Sequence, residues 1–284
     1  MKVEVVSGAK EFLESYEDIM LQQEAVSQLV LYLAYREVDG EKAGDGTFGA
    51  VMEGDTILLL FCNVIPHDLT IHTVLQEKGP EAAAVLADYI LEQQVKIQGI
   101  LGRKDVCQGF INQYQKTTEG IFIEKLASDI MELRLLNEIW PSEGIQRKAH
   151  TDEVKMIADW MIEFQMETLT SELDYEAALA KAEEAVASGD VYVFEAEDQK
   201  VVTMAVTTRR LPHGIAIDYV YTPEEYRGKG YAATNMYYLS KSLLAEGYQF
   251  CTLFVDKDNL LSHRAYEKVG YNVAGESYGY ELIS

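Results

Sequence analysis

The residues best suited to chemistry form one glycine-rich segment, in which Arg227, Gly228, Lys229 and Gly230 follow the apolar, β-branched stretch 215–221. Residues 228–246 are predicted as a long helix, so this is a strand–turn–helix unit. Backbone N–H groups at a helix start have no carbonyl partner and carry a partial positive charge. Glycine lets an anion approach that backbone, and the two basic side chains add charge. The segment therefore predicts an anion site suited to phosphate.

A second segment lies downstream, where Asn259, Ser262 and Tyr266 are spaced along the predicted helix 260–269. Asparagine is a favoured N-cap residue, so Asn259 is suited to begin this helix. An aromatic side chain on a helix is commonly part of a core, which is the structural interpretation of Tyr266.

Together the two segments resemble the signature of the GNAT superfamily of N-acetyltransferases. Arg227, Gly230 and Ala232 match the pattern Arg/Gln-x-x-Gly-x-Gly/Ala. Residues 259–271 resemble the family's Asn-x-x-Ser…Ala-Tyr-Glu-Lys-x-Gly-Phe/Tyr segment, and the two motifs occur in the family's order. The resemblance covers about residues 150–284. It implies direct transfer of an acetyl group from acetyl-CoA, as cosubstrate and without a metal, to an amine.

The resemblance also implies a role for each matched residue. The loop amides would hold the pyrophosphate, the backbone N–H near Val220 would polarise the thioester carbonyl, and Asn259 would contact the pantetheine arm. Tyr266 matches the tyrosine that protonates the leaving thiolate. The cofactor-binding residues implied in this way are Tyr219, Val220, Tyr221, Arg227, Gly228, Lys229, Gly230, Tyr231, Ala232, Asn259, Ser262 and Tyr266.

A general base is less clearly indicated. Asp218 lies on the predicted central strand, and an apolar environment would raise its pKa toward a useful range. His213 precedes the same strand, and Glu195 lies on another. We expect Asp218 to be catalytic together with Tyr266, while His213, Glu195 or a water molecule remain alternatives.

The elements that must position these residues follow from hydrophobic patterning. Each half shows helices, hairpin strands, a long helix, a strand and a further helix. The fold class expected is α/β (α+β), with a GNAT-type mixed, mostly antiparallel sheet flanked by helices. In the first half, strands 48–52 and 56–63 are predicted to form a hairpin around Gly54. The end of the chain is predicted as two short strands, 271–273 and 278–282.

Two tandem GNAT-like domains are predicted, 1–145 and 146–284, because Pro141, Ser142, Glu143 and Gly144 have linker composition. Only the second is expected to bind acetyl-CoA. In the first, Pro80 lacks an N–H and an acidic residue follows it, so its long helix opposes a pyrophosphate. The first half is interpreted as degenerate, with an unrelated α/β domain as the alternative.

Composition limits the partners. The net charge is −23, shared evenly by the two halves, which argues against a nucleic acid. No apolar run is long enough for a membrane span or a signal peptide, so the cytoplasm is expected. Acidic surfaces favour a cationic acceptor among small-molecule or peptide amines. A monomer and a homodimer remain open, and a non-catalytic acyl-CoA-binding sensor is the alternative function.

Other motifs are interpreted as structural. Gly44, Gly46 and Gly49 match a dinucleotide-binding pattern, but no strand precedes them and no helix follows, so a turn is predicted. The five histidines show no metal-site spacing. The three cysteines, which are Cys62, Cys107 and Cys251, are expected to be buried free thiols.

Overall fold

The computed structural model describes residues 1–40, 46–168 and 173–283. Two compact units divide the chain. Unit 1 comprises Met1–Asp129 and the segment from Gly275 onward, and unit 2 comprises Ile130–Ala274. Of the turn predicted around Gly44, residues 41–45 lie outside the described part. Leu169, where hydrophobic patterning predicts the end of a helix that begins at Asp152, also lies outside it.

Unit 1 contains a mixed sheet with helices on both faces. Its helices are α1 (Ala9–Leu21), α2 (Glu24–Asp39), α3 (Gly79–Glu92) and α4 (Lys104–Tyr114). Its own strands are β1 (Lys2–Val5), β2 (Thr47–Glu53), β3 (Thr56–Asn63), β4 (Leu69–Thr73) and β5 (Gly99–Gly102). Residues of β6 (Ile121–Leu133) and β12 (Asn272–Ile283) complete the order β1-β2-β3-β4-β5-β12-β6. The first four strands are antiparallel, and β4 and β5 run parallel.

Unit 2 repeats this arrangement. Its helices are α5 (Val154–Thr168), α6 (Tyr175–Ala187), α7 (Tyr231–Ala245) and α8 (Leu260–Val269). Its strands are β7 (Gly144–Lys148), β8 (Val191–Ala196), β9 (Val201–Arg210), β10 (Gly214–Tyr221) and β11 (Phe250–Asp256). They follow the order β11-β10-β9-β8-β7, antiparallel except for the parallel pair β10 and β11, with Ile130–Leu133 of β6 beside β11. The expected mixed, mostly antiparallel sheet is therefore confirmed, and the same element order occurs twice.

A buried core lies on each face of the unit 2 sheet. On one face, α7 and α8 pack their apolar side chains against Ile215, Ile217 and Leu253. On the other face, α5 and α6 pack against strand residues that include Tyr219 and Tyr221. Helical periodicity gives each helix one apolar side, and the alternation of strand side chains gives the sheet two apolar faces. A short 3-10 turn, Glu224–Tyr226, and the glycine-rich loop join the end of β10 to the first turn of α7.

The division into units differs from the predicted division after residue 145. Unit 2 begins at Ile130, and the segment from Gly275 onward belongs to unit 1. The predicted linker lies within unit 2, where Gly144 begins β7 and Ser142 is hydrogen-bonded to Thr234. The prediction of two separate terminal strands was wrong, because residues 272–283 form the single strand β12. Its register places Tyr278 opposite Gly102 and Tyr280 opposite Ile100, both on β5. The C-terminal residues therefore complete the sheet of unit 1.

Candidate functional site

Strands β10 and β11 diverge toward their C-terminal ends. They pair only from Gly214 opposite Phe250 to Ala216 opposite Thr252, although β10 continues to Tyr221 and β11 to Asp256. Beyond that register the two strands share no ladder. The divergence leaves a gap in the hydrogen-bonded sheet beside residues 217–221, directly before the glycine-rich loop.

A β-bulge forms the wall of this gap. The register of β10 against β9 shifts between Asp218 and Tyr221, and Tyr219 adopts φ 48°. A bulky residue with positive φ is uncommon and strained, and such strain often occurs at functional sites. The Tyr219 N–H donates to the Asp218 carboxylate at 2.8 Å, which stabilises the bulge. As a result, Tyr219 packs on the α5 side, while Ile217 and Val220 pack on the α7 side.

The glycine-rich loop begins α7 as the sequence predicted, although the helix begins at Tyr231 rather than Gly228. Gly228 and Gly230 have φ values of 75° and 82°, in the left-handed region that favours glycine. Gly230 is the N-cap and makes no side-chain capping bond. The N–H groups of the first turn, which includes Ala232, have no intrahelical acceptor. This geometry suits an anion held by backbone amides.

The Arg227 side chain is held by α5. Its guanidinium donates to both carboxylate oxygens of Glu167, at 2.7 and 2.9 Å, and to the carbonyl of Thr222 at 2.8 Å. It also lies over the ring of Tyr221. Its charge is therefore largely neutralised, and its side chain fixes the loop. The exposed Lys229 ammonium lies 5.6 Å from the centroid of the Tyr226 ring.

Asn259 caps α8, as its sequence position predicted. Its side-chain oxygen accepts a 3.1 Å hydrogen bond from the Ser262 N–H. The Ser262 side chain is also hydrogen-bonded to Tyr266, one turn further along the helix. Ser262 therefore links the N-cap of α8 to the Tyr266 hydroxyl.

Tyr266 is buried, with 6% of its surface exposed, and its ring lies 6.0 Å from that of Tyr271. Burial raises the pKa of the Tyr266 hydroxyl, and the charge of Asp218 raises it further, whereas the hydrogen bond with Ser262 lowers it. Tyr266 therefore keeps its proton at neutral pH, as a general acid must. The ring of Tyr266 is therefore part of the core, and its hydroxyl is bonded to Ser262.

The three candidate bases lie in different surroundings. Asp218 lies at the bulge, close enough to influence the Tyr266 pKa, with an Arg209 nitrogen 3.9 Å from its carboxylate. Glu195 lies on β8, with β9 between it and β10, and its carboxylate is 2.9 Å from an Arg147 nitrogen. His213 precedes β10, at the end opposite the bulge. The geometry brings Asp218, and neither of the others, to the bulge beside Tyr266.

Sequence reasoning missed the residues on the α5 and α6 side of the bulge. The Tyr221 hydroxyl donates to Glu163 at 2.7 Å, and the Lys181 ammonium donates to the Tyr219 hydroxyl at 2.8 Å. Burial, and then the bond to Glu163, raise the pKa of Tyr221. The spacing of Glu163 and Glu167 by four residues places both on one face of α5, which the sequence could have shown.

Among the described parts of the chain, no group of three or more histidine, cysteine or acidic side chains could hold an ion. Within the same residues, no helix is long and apolar enough to cross a bilayer. The three cysteines are buried and free, as expected.

Comparisons with known proteins concern both the second half and the whole chain. The model of the acetyltransferase (GNAT) family matches residues 154–271. A GNAT-family acetyltransferase structure from Colwellia psychrerythraea has 9% identity and a TM-score of 0.56, covering 100% of both chains. A GCN5-related N-acetyltransferase from Sphaerobacter thermophilus has 12% identity and a TM-score of 0.57, covering 91% of each.

A Drosophila protein structure is also similar, with 11% identity and a TM-score of 0.61, covering 99% of this chain and 98% of that one. No curated protein matches the sequence. At these identities the structural similarity concerns the fold. It extends over both units, whereas the family model covers residues of unit 2.

Proposed function

Because residues 154–271 match the model of the acetyltransferase (GNAT) family, we propose that the chain is an acyltransferase that transfers the acetyl group of acetyl-CoA to an amine. The observation that carries the proposal is the divergence of β10 from β11 on the strand that leads, through the glycine-rich loop, to the helix start at Gly230. A gap between strands accommodates an extended thioester arm. The adjacent helix start suits its pyrophosphate.

In the proposed complex, the pyrophosphate accepts hydrogen bonds from the backbone of residues 228–232, and the pantetheine arm enters the gap. Arg227 acts through its ion pair with Glu167, which fixes the loop. The thioester carbonyl lies near the Val220 N–H, beside the bulge. A backbone donor to a developing oxyanion contributes about 3 to 4 kcal/mol in acyl transfer.

The reaction proceeds by attack of the neutral amine on the thioester carbonyl carbon. Collapse of the tetrahedral intermediate breaks the C–S bond, and Tyr266 gives its proton to the leaving sulfur. Asp218, directly or through a water molecule, takes the proton that the amine releases. The proton gained and the proton donated balance. The raised pKa of Tyr266 keeps it protonated before the reaction and favours its reprotonation afterwards.

The acceptor proposed is a small-molecule or peptide amine, and the net charge of −23 favours a cationic one. The same charge disfavours nucleic acid as a partner. We expect the protein to act in the cytoplasm, without a metal or membrane partner, as a monomer or homodimer. Unit 1 is proposed to be a degenerate GNAT-like domain. Its α3 begins with Gly79 and Pro80, and Glu81 follows in the first turn, where an anion would be repelled.

Calorimetry followed by an acceptor panel tests the proposal. One acetyl-CoA is expected to bind per full chain, and a panel of polyamines, amino acids and lysine peptides should release free thiol with at least one amine. Absence of binding contradicts the proposal. Binding without turnover on any amine favours the alternative, an acyl-CoA sensor, because the loop and gap serve both functions.

A further inference from the structure

An exposed tryptophan lies on a segment anchored beside the proposed cofactor site. Residues 134–143, here called the connecting segment, join β6 to β7 without regular structure. Trp140, within it, has 94% of its surface exposed, whereas Trp160 has 9%. Tryptophan is highly buried on average, and this exposed ring is available to contact a ligand.

One end of the connecting segment is fixed to the last turn of α8. The Asn137 N–H donates to the carbonyl of Val269 at 2.9 Å, and its side chain donates to the carbonyl of Glu267 at 3.2 Å. The backbone approaches so closely that a Cβ on Gly270 would lie 2.5 Å from the Leu135 carbonyl oxygen. This part of the segment is therefore packed in place.

The other end is fixed to the glycine-rich loop. The Ser142 N–H donates to the Thr234 hydroxyl at 2.9 Å, and the Ser142 hydroxyl donates to the Lys229 carbonyl at 3.2 Å. A Cβ built on Gly230 would lie 3.4 Å from the Ser142 hydroxyl oxygen. Trp140 is two residues away, so its Cα lies within about 7 Å of that of Ser142. The backbone of Trp140 is thereby held near the start of α7.

We propose that Trp140 stacks on the adenine of the acyl-CoA cosubstrate, an inference that rests on the proposed function. Acetyl-CoA is linear, with acetyl-pantetheine on one side of the pyrophosphate and 3′-phosphoadenosine on the other. When the acetyl arm occupies the gap and the pyrophosphate meets the loop, the adenosine continues outward from the loop. Ser142 contacts that loop, and Trp140, two residues before it, offers an almost fully exposed ring to the adenosine.

The charges beside Trp140 favour a base over a phosphate. The connecting segment carries exposed carboxylates at Glu138 and Glu143, which repel an anion. An indole presents a flat apolar face. A neutral base can stack on it without a charged partner. Removing such a ring commonly weakens binding by about 5- to 150-fold.

Three ligands and two variants test the inference on the full chain. Calorimetry compares parent, Trp140→Ala and Tyr175→Ala, the last a control that removes an exposed aromatic ring on α6. The ligands are acetyl-CoA, adenosine 3′,5′-bisphosphate, and S-acetyl-4′-phosphopantetheine, which lacks adenosine. Trp140→Ala is expected to weaken the first two by about 5- to 150-fold and to leave the third unchanged, and Tyr175→Ala to affect none.

Fluorescence gives a second readout. In Trp160→Phe, Trp140 is the remaining tryptophan, and its emission should be quenched by adenosine 3′,5′-bisphosphate.

Equal acetyl-CoA affinity in parent and Trp140→Ala overturns the adenine assignment and leaves the proposed function standing. Equal weakening of all three ligands also overturns it, since the ring would then only support the loop. If the parent does not bind acetyl-CoA, both proposals are overturned.

Discussion

At the scale of single residues, Tyr266 combines a packing role with a proposed chemical one. Its ring is part of the core beneath α7 and α8, while its hydroxyl is bonded to Ser262 and influenced by Asp218. Tyr266→Phe keeps the ring, so acetyl-CoA affinity should change little. Loss of the general acid should lower turnover by about 100- to 10,000-fold. Steady-state transfer to an amine from the panel, with calorimetry, measures both.

The pH dependence gives an independent check on this residue. Because its pKa is raised, Tyr266 stays protonated at pH 9, and its titration should cause no fall in rate below that pH. Ser262→Ala is a useful companion, since it removes a partner of the hydroxyl and keeps the hydroxyl itself. A Tyr266→Phe enzyme with parental turnover would return the residue to a purely structural role.

The cysteines lead to a second prediction at this scale. Cys62, Cys107 and Cys251 are fully buried, and burial raises the thiol pKa of each, that of Cys251 to about 12. Thiolate is the reactive form, so a thiol reagent at pH 8 should label none in the native protein and all three in denaturant. Rapid labelling of any thiol in the folded protein contradicts the burial described here.

At the scale of elements, the start of α7 is the proposed binding site of the pyrophosphate. Gly230→Glu would place a carboxylate where the pyrophosphate is proposed to bind, and acetyl-CoA binding should be abolished. Gly247→Glu is the matched control, because Gly247 follows the other end of the same helix and also has positive φ. A Cβ at Gly247 meets no atom within 4 Å, and a Cβ at Gly230 meets the Ser142 hydroxyl at an ordinary contact distance of 3.4 Å. Parental acetyl-CoA affinity in Gly230→Glu would remove the pyrophosphate assignment.

The local sequence predicted individual helices and strands better than it predicted how they pack against one another. The helix 260–269 and the hairpin around Gly54 were predicted closely, because capping and turn residues mark their ends. Strand β6 was missed, since charges such as Glu124 and Lys125 interrupt its apolar pattern. The bulge at Tyr219 has no local signature. The side chains that meet it from α5 depend on tertiary packing, which a pattern along one strand does not contain.

At the scale of the whole molecule, unit 1 depends on residues distant in sequence. Tyr280, on β12, is 7% exposed and packs in the core that contains α3 and α4. Tyr280→Ala should lower the free energy of unfolding by about 3 to 5 kcal/mol, as for other large buried aromatics. Ile283→Ala, at a half-exposed position of the same strand, should cost less than about 1 kcal/mol.

Urea denaturation measures the change in the free energy of unfolding, and amide hydrogen exchange shows which residues lose protection. Protection should be lost in unit 1, including β5, which pairs with Tyr280 through Ile100. Equal effects of Tyr280→Ala and Ile283→Ala would show that β12 contributes little to this core. Loss of protection confined to unit 2 would contradict the division of the chain between the units.

The return of β12 to unit 1 also sets the order in which the protein can be completed during synthesis. When β5 has left the ribosome, the strand that pairs with it has yet to be translated, because Ile130–Ala274 comes first. At roughly 5 to 20 residues per second, this delay lasts roughly 10 to 30 s. During that time the nascent chain presents an unpaired strand edge, a known template for aggregation. A chaperone that shields such edges should therefore raise the yield of native protein, even though the finished protein is stable without it.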